Sequence, residues 1–96
     1  MSVMTRSFRD KETKRIFSRE PRGKFAPTVQ RAALRKLLLV DAAESLDDLR
    51  AVPGNRLEKL TGDRKGQYSI RMNDRWRVCF RWEAGNAHDV EIVDYH

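Results

Sequence analysis

QYSIRMNDRWRVCFRWEAGNAHDVEIVDYH, residues 67–96, runs with a period of two. Tyr68, Ile70 and Met72 alternate with Ser69, Arg71 and Asn73, and Asn73-Asp74 then predicts a tight turn. In the next run Trp76, Val78, Phe80 and Trp82 fall on one side, and Arg75, Arg77, Cys79 and Arg81 on the other. A second turn at Ala84–Asn86 leads into a last strand with Val90 and Ile92 on its apolar side. This alternation predicts an antiparallel sheet with one buried face and one face rich in guanidinium. Two proton-handling side chains, Tyr95 and His96, close the sequence. A final strand paired with a neighbour is expected to be ordered to its last residue. Placed beside the strand of Arg75, Arg77 and Arg81, it brings the chain end to the guanidinium face.

Upstream, residues 43–66 are rich in turn formers, with Pro53, Gly54 and Asn55 followed by Gly62, Asp63 and Gly66, and read as a connector. Before it, TVQRAALRKLLLVDAAE (28–44) repeats Val29, Ala33, Leu37 and Val40 at helical spacing beside Leu34 and Leu38. Arg31, Arg35 and Lys36 take its outer face. An earlier helix is predicted over KETKRIFSR (11–19), with Asp10 as N-cap and Ile16 and Phe17 as core anchors. Pro21, Gly23 and Pro27 separate the two helices, and Arg6–Phe8 is a short apolar-centred stretch at the start. The pattern is α+β, a helical hairpin against a sheet, with residues 1–96 as a single domain.

Charge sharpens the reading. The net +6 is uneven: residues 1–40 hold eleven Lys/Arg against three Asp/Glu, 64–82 hold six against one, and 83–96 are wholly acidic. Fourteen of the twenty basic residues are Arg, the side chain that grips phosphate bidentately, so a polyanion such as RNA or DNA is a favoured partner. The alternative is a solvated basic surface. No apolar run approaches a membrane span and the start lacks a secretory h-region, so a soluble cytoplasmic protein without membrane contact is expected. The lone Cys79 reads as a buried strand thiol.

Two histidines, His88 and His96, and one cysteine make no zinc spacing, and no Walker, dinucleotide or Gly-x-Ser-x-Gly motif is present. The expectation is chemistry without a metal or cofactor. RNA cleavage by the substrate's own 2′-hydroxyl fits, because the protein need only take a proton, return one to the leaving oxygen and neutralise charge on phosphorus. His96 is cast as acid or phosphate stabiliser, with the role of base left open, and an ordinary frayed terminus is the competing reading.

The stretch GDRKGQYSIRMNDRWRVCFRW (62–82), followed by DVEIVDYH (89–96), resembles the HigB group of bacterial toxins in the wider RelE/ParE superfamily, often labelled plasmid maintenance system killer proteins. RSFRDKET (6–13), RKLLLVDAAESLDDLR (35–50) and PGNRLEKL (53–60) extend the likeness over nearly the whole chain. The resemblance implies a RelE-like fold, with a short N-terminal strand and two helices on a curved antiparallel sheet. It implies a ribosome-dependent endoribonuclease that cuts mRNA in the decoding site. It also implies a HigA-like helix-turn-helix antitoxin that blocks the toxin and represses the shared operon, so operator DNA is met only indirectly.

Carried over by motif, Asp94, Tyr95 and His96 become catalytic candidates, and Arg64 and Arg77 serve substrate phosphate or transition-state charge. Arg71 and Arg56 become candidates for RNA contact. One departure is that Glu58 stands where some HigB proteins carry a histidine; it is either a replacement base or a surface residue without a role, and Lys59 beside it is a candidate source of charge. Two other readings share the sequence: a ParE-like inhibitor of DNA gyrase, which generally lacks the full terminal acid–base set, and a non-enzymatic RNA-binding module, which would need aromatics on the exposed sheet face.

Overall fold

Period-two segments become strands as read. The computed structural model describes Thr5, residues 7–20, Gly23 and residues 25–94; Arg6, Pro21, Tyr95 and His96, each singled out above, lie outside the described residues. Helices α1 (Lys11–Phe17), α2 (Pro27–Ala42) and α3 (Leu46–Arg50) precede strands β1 (Glu58–Lys59), β2 (Gln67–Arg71), β3 (Trp76–Glu83) and β4 (Asn86–Asp94). The sheet has the order β1-β2-β3-β4 and every neighbouring pair is antiparallel. The N-terminal segment runs beside β4 in the parallel sense through single bridges, Thr5 to Ala87 and Phe8 to Val90, rather than as a full strand.

Ile70, Val78, Phe80 and Ile92 point from one sheet face into a core completed by Ile16, Ala33, Leu37, Val40 and Leu49. Trp76 and Trp82 pack against its rim. Apolar burial of this kind stabilises by roughly 25 cal/mol per Å2 and holds α1 and α2 on that face. No helix among the described residues is long and apolar enough to cross a membrane.

Several local expectations change. The connector contains α3, started by a capping box in which Ser45 and Asp48 bond each other's backbone N–H. Asp10 takes the N-cap position of α1 without a side-chain capping bond, and α1 stops at Phe17, two residues early, as Arg19 turns left-handed at φ 60°. Leu38 is exposed rather than core-facing. Lys36 leaves the outer face, because its Nζ donates to Oδ1 of the fully buried Asn55 at 2.6 Å. The Asn73 turn is a four-residue loop in which Asn73 Oδ1 accepts the Arg75 and Trp76 N–H groups at 2.9 and 2.8 Å.

The β3–β4 connection is a two-residue turn with both central residues left-handed, Ala84 at φ 52° and Gly85 at φ 78°. Further along, the register slips: Cys79 faces Glu91 but Arg81 faces His88. One extra β4 residue bulges here, with Asp89 at φ 52°. That slip keeps Ala87, Val90 and Ile92 all buried despite their uneven spacing, and a bulged strand bends.

Candidate active site

Cross-strand partners share a sheet face. On the face away from the core, the pairings align Glu58, Ser69, Cys79 and Glu91 in one row across all four strands. Arg71, Arg77 and Val93 form a neighbouring row; Gln67, Arg81 and His88 form another. This is the predicted guanidinium face, but it is not a bare one. Carboxylates meet its arginines: Arg81 with Asp89 at 3.4 Å and with Glu83, Arg71 with Asp74, Arg77 with Glu58 at 3.7 Å, and Arg64 with Glu91 at 3.1 Å.

Arg77 lies deepest, at 8% exposure. Its Nε donates to Ser69 Oγ at 2.8 Å, and its Nη2 donates to the Arg56 carbonyl at 2.7 Å and the Ser69 carbonyl at 3.4 Å. Arg56 is left-handed at φ 46°, and its side chain is exposed while its carbonyl turns to Arg77. The Arg56 segment is held from behind by Asn55, whose Nδ2 donates to the Leu49 carbonyl at 3.0 Å and whose own carbonyl accepts the Arg71 N–H at 2.6 Å. Burial, then the charges of Arg35 and Arg71, push the Lys36 ammonium that bonds Asn55 below the ordinary lysine value.

Arg64 ends a single 3-10 turn, Gly62–Arg64, and reaches over the sheet. Its Nη1 donates to Gln67 Oε1 and Glu91 Oε2, both at 3.1 Å, so partners on β2 and β4 hold it across β3. The Nε and Nη2 atoms make no hydrogen bond among the described residues, and the side chain is 36% exposed. Cys79 lies in the same row as Glu91, with its thiol pushed up chiefly by burial; Arg64, Glu91, Arg77 and Glu58 act on it with opposing signs.

The structure thus brings Glu58, Arg64, Arg71 and Arg77 to one face. Asp94 pairs with Trp76 and takes the opposite face, where Arg75 reaches its Oδ2 with Nη2 at 3.0 Å and stacks over the Trp76 ring at 4.9 Å. Of the three arginines expected near the chain end, the Asp94 carboxylate therefore meets Arg75. Lys59 pairs with Tyr68 and also falls on the core-side face, apart from Glu58. Glu91 and Ser69 were not singled out in the sequence. Each sits at an outward position of an alternating strand, but their arginine partners lie 27 and 8 residues away.

A four-stranded antiparallel sheet with a helical hairpin on one face and arginines on the other is the frame of a known toxin family. Residues 6–96 match the HigB-like toxins, RelE-like toxins of the type II toxin-antitoxin system HigB. The chain belongs to this family. It is 40% identical over 85 residues to Toxin HigB-1 of Vibrio cholerae serotype O1, covering 88% of this chain and 90% of the relative. It is 33% identical over 94 residues to Endoribonuclease HigB of Proteus vulgaris, covering 97% of this chain and all of the relative. Among solved structures, a chain of the YoeB-YefM complex from Staphylococcus aureus superimposes with a TM-score of 0.59 at 16% identity, over 96% of this chain and 97% of that one. The HigB-like membership and the shared fold bear out the RelE-type α+β architecture read from the sequence.

Proposed function

We propose that this HigB-like toxin is a ribosome-dependent endoribonuclease that cuts mRNA and halts translation in the cytoplasm. Support comes from the end-to-end match to Endoribonuclease HigB. The observation that carries the reading is Arg64: its guanidinium is fixed through Nη1, and its Nε–Nη2 edge makes no hydrogen bond among the described residues. Such an edge is the fork that receives a phosphate bidentately.

In this reading the 2′-hydroxyl oxygen of the substrate attacks the adjacent phosphorus, forming a 2′,3′-cyclic phosphate as the bond to the 5′-oxygen breaks. The hydroxyl proton passes to a base, with Glu58 or His96 in that role. The 5′-oxygen takes a proton from an acid, His96 or Tyr95. Arg64 and Arg77 offset the charge that builds on phosphorus, while Asp94 orients the terminal pair. Arg56 and Arg71 contact the RNA backbone, whereas Lys59, on the core-side face, does not. A HigA-like helix-turn-helix antitoxin covers the toxin when it is silent and carries the complex to operator DNA.

The test is primer extension on mRNA added to translating ribosomes with purified protein. Discrete new 5′ ends should appear with ribosomes and not without them, and His96→Ala and Tyr95→Phe should suppress them. Undiminished cutting by both variants, or intact mRNA with the wild-type protein, rejects the scheme.

A further inference from the structure

A groove of about 460 Å3 lies where the N-terminal segment meets the start of α1. Ser7, Phe8, Arg9, Asp10, Lys11 and Lys14 line it. Three cations face one carboxylate there, and neither lysine has an ion pair among the described residues. The Phe8 ring is half-buried and packs on Phe17 at 5.2 Å between centroids, so an aromatic lies among the cations.

The groove is joined to Arg64 by a single atom. Glu91 Oε2 receives Arg64 Nη1 at 3.1 Å and also meets Arg9 Nε at 3.6 Å. Two guanidinium groups share one carboxylate, which leaves positive charge at the junction. Glu91 is 15% exposed, whereas Arg9 is 59% exposed and stands at the groove's edge. The basic surface therefore continues from the sheet face past β4 and onto α1.

The geometry points to this groove as a second site for the phosphate backbone of single-stranded RNA, gripping the strand beyond the phosphate held by Arg64. Cations that track a backbone beside an aromatic ring suit a single strand, whose bases can stack. An acidic protein segment would use the same charges. RNA is favoured because Arg9, which lines the groove, shares the Glu91 oxygen with Arg64. This inference rests on the nuclease reading for what Arg64 holds.

The probe is a 2′-O-methyl RNA oligonucleotide, which lacks the attacking hydroxyl, with binding followed by fluorescence anisotropy across a potassium chloride series. Each backbone contact on a single strand contributes about 0.7 to the slope of log affinity against log salt. Lys11→Ala with Lys14→Ala should weaken binding and lower that slope by about 1.4. Arg31→Ala with Arg35→Ala removes the same charge from the exposed outer face of α2 and should leave the slope unchanged. An unaltered slope in the lysine pair, or an equal fall in the arginine control, overturns the site. So does a lysine pair that binds RNA normally but loses affinity for its antitoxin. Because the probe cannot be cleaved, a wild-type protein that cuts no mRNA would sink the nuclease reading while this binding result still decides the groove.

Discussion

Arg77 Nε donates to Ser69 Oγ at 2.8 Å from within the sheet, on the face that alternation alone would leave to solvent. With two further bonds to backbone carbonyls and Glu58 at 3.7 Å, the guanidinium ties β2, β3 and the Arg56 segment together. Removing one partner of such a set leaves buried acceptors without donors. Arg77→Ala should therefore cost about 3 kcal/mol of folding stability, and Arg77→Lys, which keeps charge but loses the planar fork, somewhat less. Urea unfolding followed by tryptophan fluorescence measures both; a change below about 1 kcal/mol would show that the interior bonds carry little.

Arg64 should behave in the opposite way. Its ion pair with Glu91 is more than a third exposed on the arginine side, and pairs of that kind contribute about 0–1 kcal/mol. Arg64→Ala should leave urea unfolding within that range and still abolish growth arrest on induction. Glu91→Gln removes the carboxylate that orients the guanidinium and should lower the cutting rate chiefly through Arg64, adding little in the Arg64→Ala background. Independent, additive losses would separate the two residues.

Cys79 is 1% exposed, and burial pushes its thiol above the ordinary value. Iodoacetamide at neutral pH should label it only as fast as the protein opens, and urea should accelerate labelling greatly. Between the unfolded and folded thiol values the unfolded chain holds fewer protons than the folded one. Unfolding free energy therefore falls as pH rises through that window, which begins at the ordinary thiol value. Cys79→Ala removes this component, so the alkaline decline should be steeper in the wild type than in the variant, as measured by urea midpoints at successive pH values.

Ala84 holds φ 52° in the β3–β4 turn without the side chain that tolerates it. Asn-Gly favours this two-residue turn, so Ala84→Asn should stabilise by about 0.5–1 kcal/mol. For a chain of this length that is a rise of a few degrees in Tm by calorimetry, about 4–8 °C per kcal/mol. None of the residues assigned to the proposed chemistry lies in this turn, and toxicity should not move.

Much of this was legible in the chain. The period of two placed β2, β3 and the apolar side of β4; helical spacing placed α2 within two residues at each end. Helix α3 was obscured because five residues are too short for periodicity, although its Ser45–Asp48 box stood in the sequence. The bulge at Asp89 was visible only as an uneven run of apolar residues, 87, 90 and 92.

By itself the sequence determined which residues alternate, where arginine concentrates, and to which toxin family the motifs belong, because periodicity and composition are properties of neighbours along the chain. Tertiary structure decided which carboxylate each arginine meets. It sank Arg77 under the Arg56 carbonyl, joined Arg9 to Arg64 through Glu91, and set Asp94 beside Arg75. Those partners lie many positions apart, and only strand register and a one-residue bulge bring them within a few ångströms. A slip of one residue turns every side chain to the other face, so no local signal specifies the pairing.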